Sequence, residues 1–234
     1  MSLLRSALML VLAGALAAGC AARPPAVTAA TGGDTIARSG ATALDRAAVR
    51  AALAGRRQIT IARFLAYRDR QVYPVNPGPG TAHLWIDADG NLCAAATIIS
   101  GDWGRDATVA AVDGKLGTRL ADVHAGRLAD WMLTSGLTHA ELVAIQVPGF
   151  EQPTPVLQSD AHAIETARLY QIYLDVERQL ASLADENLEV AVDRLLARPA
   201  LARAFVEDPA RLVASLSPAA RRFATAPTVV AVAP

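Results

Sequence analysis

Cys93 is the residue in this chain best suited to covalent chemistry, because a thiolate is a strong nucleophile and the groups that would activate it lie further along. The run Ala82–Asp87 and an Asp89-Gly90 turn precede it and an alanine-rich run follows, so Cys93 is expected at a helix N-terminus. Free amides and the helix dipole at such a place favour the thiolate. His124 or His139 would be the base and Asp122 its orienting carboxylate, and the set would make a thiol hydrolase for cell-wall peptide or acyl substrates. The competing reading is burial, since a free cysteine behaves as a small hydrophobe and is among the most buried residue types. The chain has only two cysteines, and Cys20 is claimed by different chemistry, so Cys93 has no intrachain disulfide partner.

The order of strand, turn, cysteine and helix, with a histidine later, resembles papain-like peptidases and the peptidoglycan peptidases related to them. The resemblance implies Cys93 as nucleophile and His124 or His139 as base. The Asp-Cys-Ser-Gly pattern of the peptidoglycan enzymes is replaced here by Asn91-Leu92-Cys93-Ala94. Metal chemistry has less to stand on, and no metal or cofactor is expected. Asp122-Val123-His124 and Asp160-Ala161-His162 repeat an Asp-x-His pattern, but there is no His-Glu-x-x-His and no paired-cysteine spacing. The loop from Asp87 to Asn91 is not a calcium-binding EF-hand, because Leu92 and Ile98 stand where that loop needs Gly and Glu. Trp85, Trp103 and Trp131 are either core residues or a platform for a sugar face.

Arg5, the apolar run Ala7–Ala18 and the small residues before Cys20 have the layout of an export signal, too short for a stable membrane-spanning helix. Leu16-Ala17-Ala18-Gly19-Cys20 resembles a bacterial lipobox, which implies cleavage before Cys20 and a diacylglycerol on its thiol. The alternative is an ordinary secretory signal cut near Ala18 or Ala22. The lipobox reading makes the membrane a partner through an N-terminal anchor and puts the protein in the cell envelope, on the outer membrane facing the periplasm in a Gram-negative cell. Several acyl chains hold firmly, at about 0.8 kcal/mol per buried methylene.

The domain plan is then a signal peptide over 1–19, a lipidated N-terminus and flexible linker over 20–41, one mainly helical domain over 42–216 and a disordered tail over 217–234. The 22 basic and 22 acidic residues balance, which leaves no electrostatic footprint for nucleic acid. All but one of the basic residues are Arg, Lys115 being the exception.

The fold class is mainly α with one short β-hairpin around 82–93. A helix is expected over about 43–71, with Gly55 as a possible bend and Arg46, Arg50, Arg57, Arg63 and Arg68 as its solvated face. Pro74 to Gly80 makes an irregular loop. In the strand after it, Leu84 and Ile86 share one face, and His83, Trp85 and Asp87 share the other. Helices follow over 94–100, stopped by Gly101, over 105–112 and over 127–135. The corner Ser135 to Thr138 has the look of a helix-turn-helix, but neutral charge and export argue against DNA. Thr138 and Glu141 form a capping box for a helix over 139–147. Ile164, Leu169, Ile172, Tyr173, Val176, Leu180 and Leu183 mark a long helix, with shorter ones over 188–196 and 209–216.

Tyr73 to Asn76, Asp87 to Ala94, and Ser135 to Gln146 together resemble a family of exported bacterial proteins to which no activity is assigned. The functional expectation is a lipid-anchored, non-catalytic binding or structural module with an envelope protein as partner, and the thiol hydrolase is the alternative.

Overall fold

Asp45 sets where the first helix begins: its carboxylate accepts a hydrogen bond from the Ala47 amide at 2.9 Å. The helix α1 spans Arg46–Arg70 and closes at Gln71, whose backbone is left-handed at φ 51°. Gly55 neither breaks nor bends it out of register. The computed structural model describes residues 44–146, 148–151 and 158–220. The expected signal, Cys20, the linker and the tail from 221 onward lie outside the described residues. The described residues fall in one compact unit that begins at Thr42.

The chain is mainly α-helical. A two-residue strand β1, Thr81–Ala82, pairs antiparallel with β2, Phe150–Glu151, so that Ala82 faces Phe150. Next come α2 (Ala94–Trp103), α3 (Arg105–Ala110), a 3-10 turn (Leu120–Asp122), α4 (Gly126–Thr134) and α5 (His139–Gln146). Then follow α6 (Gln158–Ser182), α7 (Ala184–Leu196), α8 (Pro199–Glu207) and α9 (Pro209–Ser215).

The hairpin around 82–93 is reduced to one bridge between Ile86 and Leu92. A turn forms where expected, with Gly90 at φ 85° and its amide donating to the Asp87 carbonyl at 3.1 Å, but Asp89 lacks the positive φ of a two-residue Asp-Gly turn. The rest of the expected strand has no ladder, because the Asp87 side chain takes the Val75 and Asn91 amides at 2.9 and 2.7 Å and folds the segment into a loop. Of the two faces, the one with Trp85 reaches the core. Trp85 is fully buried, while Leu84 and Ile86 are half-buried. Asn76 holds the proline-rich loop by donating to the Gly80 and Phe150 carbonyls at 2.7 and 3.1 Å.

The helix α1 packs against α2, α6, α7 and α8, with Val49, Leu53, Phe64 and Tyr67 buried. Full burial of each such side chain stabilises by about 1.5–3 kcal/mol. Its arginines are not a solvated face. Arg56, Arg57 and Arg68 are at most 9% exposed. Each meets a carboxylate from another element: Asp102 at 2.6 Å for Arg56, Glu141 at 2.6 Å for Arg57, and Glu177 for Arg68. Arg46, Arg50 and Arg70 lie outside, the first two against Glu189 of α7, where an ion pair contributes little.

Gly101 lies inside α2 rather than at its end, and the reason is Arg63. A Cβ at Gly101 would sit 2.6 Å from the Arg63 guanidinium carbon. Arg63 donates to the Ile98 and Gly101 carbonyls at 3.2 and 2.9 Å and to Asp102 at 2.7 Å, which satisfies the end of α2 from outside. The chain then turns at Gly104, φ 77°.

The corner between α4 and α5 docks on α1. Gly136 has φ 80°, and a Cβ there would lie 2.4 Å from both the Arg57 nitrogen and the Leu53 carbonyl oxygen. Thr138 and Glu141 form the expected capping box, with Glu141 accepting from the Thr138 amide at 2.8 Å and donating its own amide to Thr138 Oγ1 at 3.2 Å. In α6 the middle of the expected stripe is buried at Leu169, Tyr173, Val176 and Leu180. Its two ends are not, Ile164 being 68% and Leu183 46% exposed. The helix α8 is an addition: Pro199 starts it and Phe205 anchors it in the core. Ser217, placed by the sequence reading in a disordered tail, is buried, and its carbonyl accepts from Arg127 at 2.6 Å.

Gly136→Ala should cost about 3 kcal/mol or more, from the collision with α1 and the positive φ. Gly55→Ala, where a Cβ meets nothing within 4 Å, should raise stability by about 0.5–1 kcal/mol. Chemical denaturation of the two variants checks both signs. Burial alone would raise the Asp102 carboxyl, but Arg56, Arg63 and the Trp131 indole N–H outweigh it and hold the group below its ordinary range. Its contribution is therefore complete above about pH 4 and is lost as pH falls through the lowered folded value. In Asp102→Asn, stability measured across pH 2–5 should be lower at pH 5 and fall less steeply towards acid.

Candidate functional site

Cys93 is the N-cap of α2, as its sequence context implies, and its sulfur accepts from the Ala96 amide at 3.4 Å. The thiol nonetheless points into the core and is 1% exposed. Burial pushes it up to about 11, against the downward pull of the Ala95 and Ala96 amides. The neighbouring ionisable groups are the buried phenols of Tyr67 and Tyr173, both raised in turn by burial first and by the nearby thiol among other groups. At neutral pH Cys93 is thus a protonated core residue, with no histidine among its hydrogen-bond partners.

His124 and His139 are brought together, but with each other. Their rings meet edge to face at 5.7 Å and 86°. His139, at the start of α5, has Nε2 at 2.8 Å from the Leu120 carbonyl, which can only accept, so this nitrogen carries the proton. Asp122 is exposed in the 3-10 turn beside them and makes no hydrogen bond to either ring. Of the four residues proposed for thiol chemistry, the structure therefore pairs the two histidines, leaves Asp122 exposed on the 3-10 turn and puts Cys93 in the core.

The paired histidines line a cleft of about 260 Å³ with Leu133 of α4 and with Arg194 and Arg198 at the end of α7. The sequence reading did not find these two arginines. Arg198 lies past the end of α7 as the N-cap of α8, with φ −121° and ψ 70°, so no helical spacing in the sequence signalled that the two would share a cleft. Arg198 donates to Asp130 at 3.1 Å. Arg194 is half-buried and has no hydrogen-bond or ion-pair partner among the described residues. Burial accordingly lowers its pKa from the ordinary value. A larger opening of about 470 Å³ between α8 and α9 holds Glu207, Asp208 and Arg211, which leave it with an excess of negative charge.

The three tryptophans are core residues rather than a platform. Their indole N–H groups donate to the Thr108 carbonyl at 3.0 Å, the Val213 carbonyl at 2.9 Å and Asp102 at 2.7 Å. The described residues contain no cluster of three or more His, Cys, Asp or Glu able to hold a metal ion. No helix among them is long and apolar enough to cross a membrane. No protein-family model, no curated protein and no solved structure matches this chain.

Proposed function

We propose that this chain is a lipid-anchored, non-catalytic binding module of the cell envelope. Cys20 carries the anchor and the helical domain beyond residue 42 captures its ligand or partner. The observation that supports the non-catalytic reading is the environment of Cys93. The only thiol besides Cys20 is closed off among Tyr67, Tyr173 and the start of α2, while both candidate bases face a separate cleft. A thiol held up to about 11 is almost wholly protonated at neutral pH, and an enclosed sulfur cannot meet a peptide or ester carbonyl. What remains for the domain is recognition, through a cleft that carries cationic and hydrogen-bonding groups.

The test is alkylation of Cys93 in the full chain with iodoacetamide across pH 6–10, read by peptide mapping so that Cys20 is scored separately. Protection of Cys93 in the native protein, with rapid labelling once denatured, is the expected result. Rapid native labelling with a midpoint below the ordinary thiol value of about 8.5 would restore the hydrolase reading.

A further inference from the structure

Every deeply placed arginine on α1 has a carboxylate against it: Arg56 and Arg63 share Asp102, Arg57 holds Glu141 and Arg68 holds Glu177. Arg194 is the exception. It is half-buried on the inner side of α7, and no acid reaches it. The nearby acids are otherwise engaged or outside: Asp130 takes Arg198, Asp193 takes Arg46, and Asp122 is exposed on the neighbouring turn. Drawing a guanidinium partly out of water without a partner is unfavourable, and an anion that met it there would offset that cost.

The rest of the cleft fits the same occupant. Arg198 gives only one nitrogen to Asp130, and a guanidinium has five N–H donors. His139 spends Nε2 on Leu120, and its other nitrogen and both of His124's have no partner among the described residues. The facing wall is hydrocarbon, from Val123, Met132 and Leu133. We propose that this cleft binds a small organic anion, a phosphate monoester or carboxylate whose oxygens meet Arg194 and Arg198 while a short apolar group lies along Leu133. The inference rests on the binding-module reading and names the ligand class for it. Guanidinium suits both anions because its fork of donors matches two oxygens at once.

Isothermal titration calorimetry of the full chain with butyl phosphate and butyrate tests it, with butylamine as the control cation. The anions should bind and the amine should not. In Arg194→Met, affinity for both anions should fall about tenfold or more, as expected for loss of a charge-assisted contact. Arg194→Lys should restore part of it, and Arg203→Met, on the exposed face of α8, should change nothing. Without ligand, Arg194→Met should unfold at a temperature no lower than the parent, because it removes an unpaired charge rather than a structural contact. Dihexanoyl phosphatidic acid binding more tightly than butyl phosphate would identify a lipid headgroup as the source of the anion, and equal affinities a free metabolite; both support the cleft. No binding of any anion, or binding untouched by Arg194→Met, would overturn the inference. Cys93 lies outside the cleft, so anion-binding failure with a protected Cys93 removes only the ligand class, whereas a reactive Cys93 removes the underlying reading.

Discussion

The contact between Arg57 and Glu141 is the constraint around which the helices are arranged. Arg57 comes from the middle of α1 and Glu141 from the first turn of α5, and they meet with both side chains out of water, at 2.6 and 3.0 Å. Glu141 also closes the capping box on Thr138 and accepts from Asn187 of α7 at 3.0 Å. Arg57 reaches on to the Gly136 and Leu180 carbonyls at 3.3 and 3.0 Å. One ion pair thus ties α1, the α4–α5 corner, the end of α6 and the start of α7. Burying two charges is unfavourable in itself, and removing one partner of such a pair leaves an uncompensated charge at a cost of about 3–5 kcal/mol. The pair specifies one arrangement of helices more than it adds net stability.

The same logic explains why the buried cations are arginines. Asp102 is held from two sides by Arg56 and Arg63 and from a third by the Trp131 indole. Such sites need planar, multiply donating groups that stay charged under low solvation, which a lysine ammonium does not supply. The scarcity of lysine therefore coincides with a structural need. Against that background Arg194 is distinctive not by its charge but because, among the described residues, neither an acid nor a carbonyl meets its half-buried side chain.

Much of the helical framework was legible in the sequence because caps and periodicity are local. Thr138 and Glu141 marked the start of α5, and Leu169, Tyr173, Val176 and Leu180 marked the buried side of α6. What was not legible depends on partners remote in the chain. The α1 arginines looked solvated because their carboxylates lie far along the sequence, 84 residues in the case of Arg57 and Glu141. The strand expected over 82–87 was not legible as a loop because alternation assumes a ladder, and the Asp87 side chain takes the backbone amides instead. For the site, the histidines could be named from their type, but their pairing with each other and with Arg194 follows from how α5 meets the 3-10 turn and α7 packs on α4. The cysteine looked activated because a helix N-terminus lowers a thiol pKa, and at Cys93 burial outweighs that effect.

Gly136 limits how this fold can diverge. With the Leu53 carbonyl 2.4 Å from where its Cβ would stand, no larger residue enters without moving α1. Lineages built on the same plan can drift over their outer faces, yet Arg57, Gly136, Thr138 and Glu141 must be inherited together or replaced together. In a chain where alanine is by far the commonest residue, overall similarity says less than a spaced set of constrained positions. Kinship is better sought in that spaced quartet than in percentage identity.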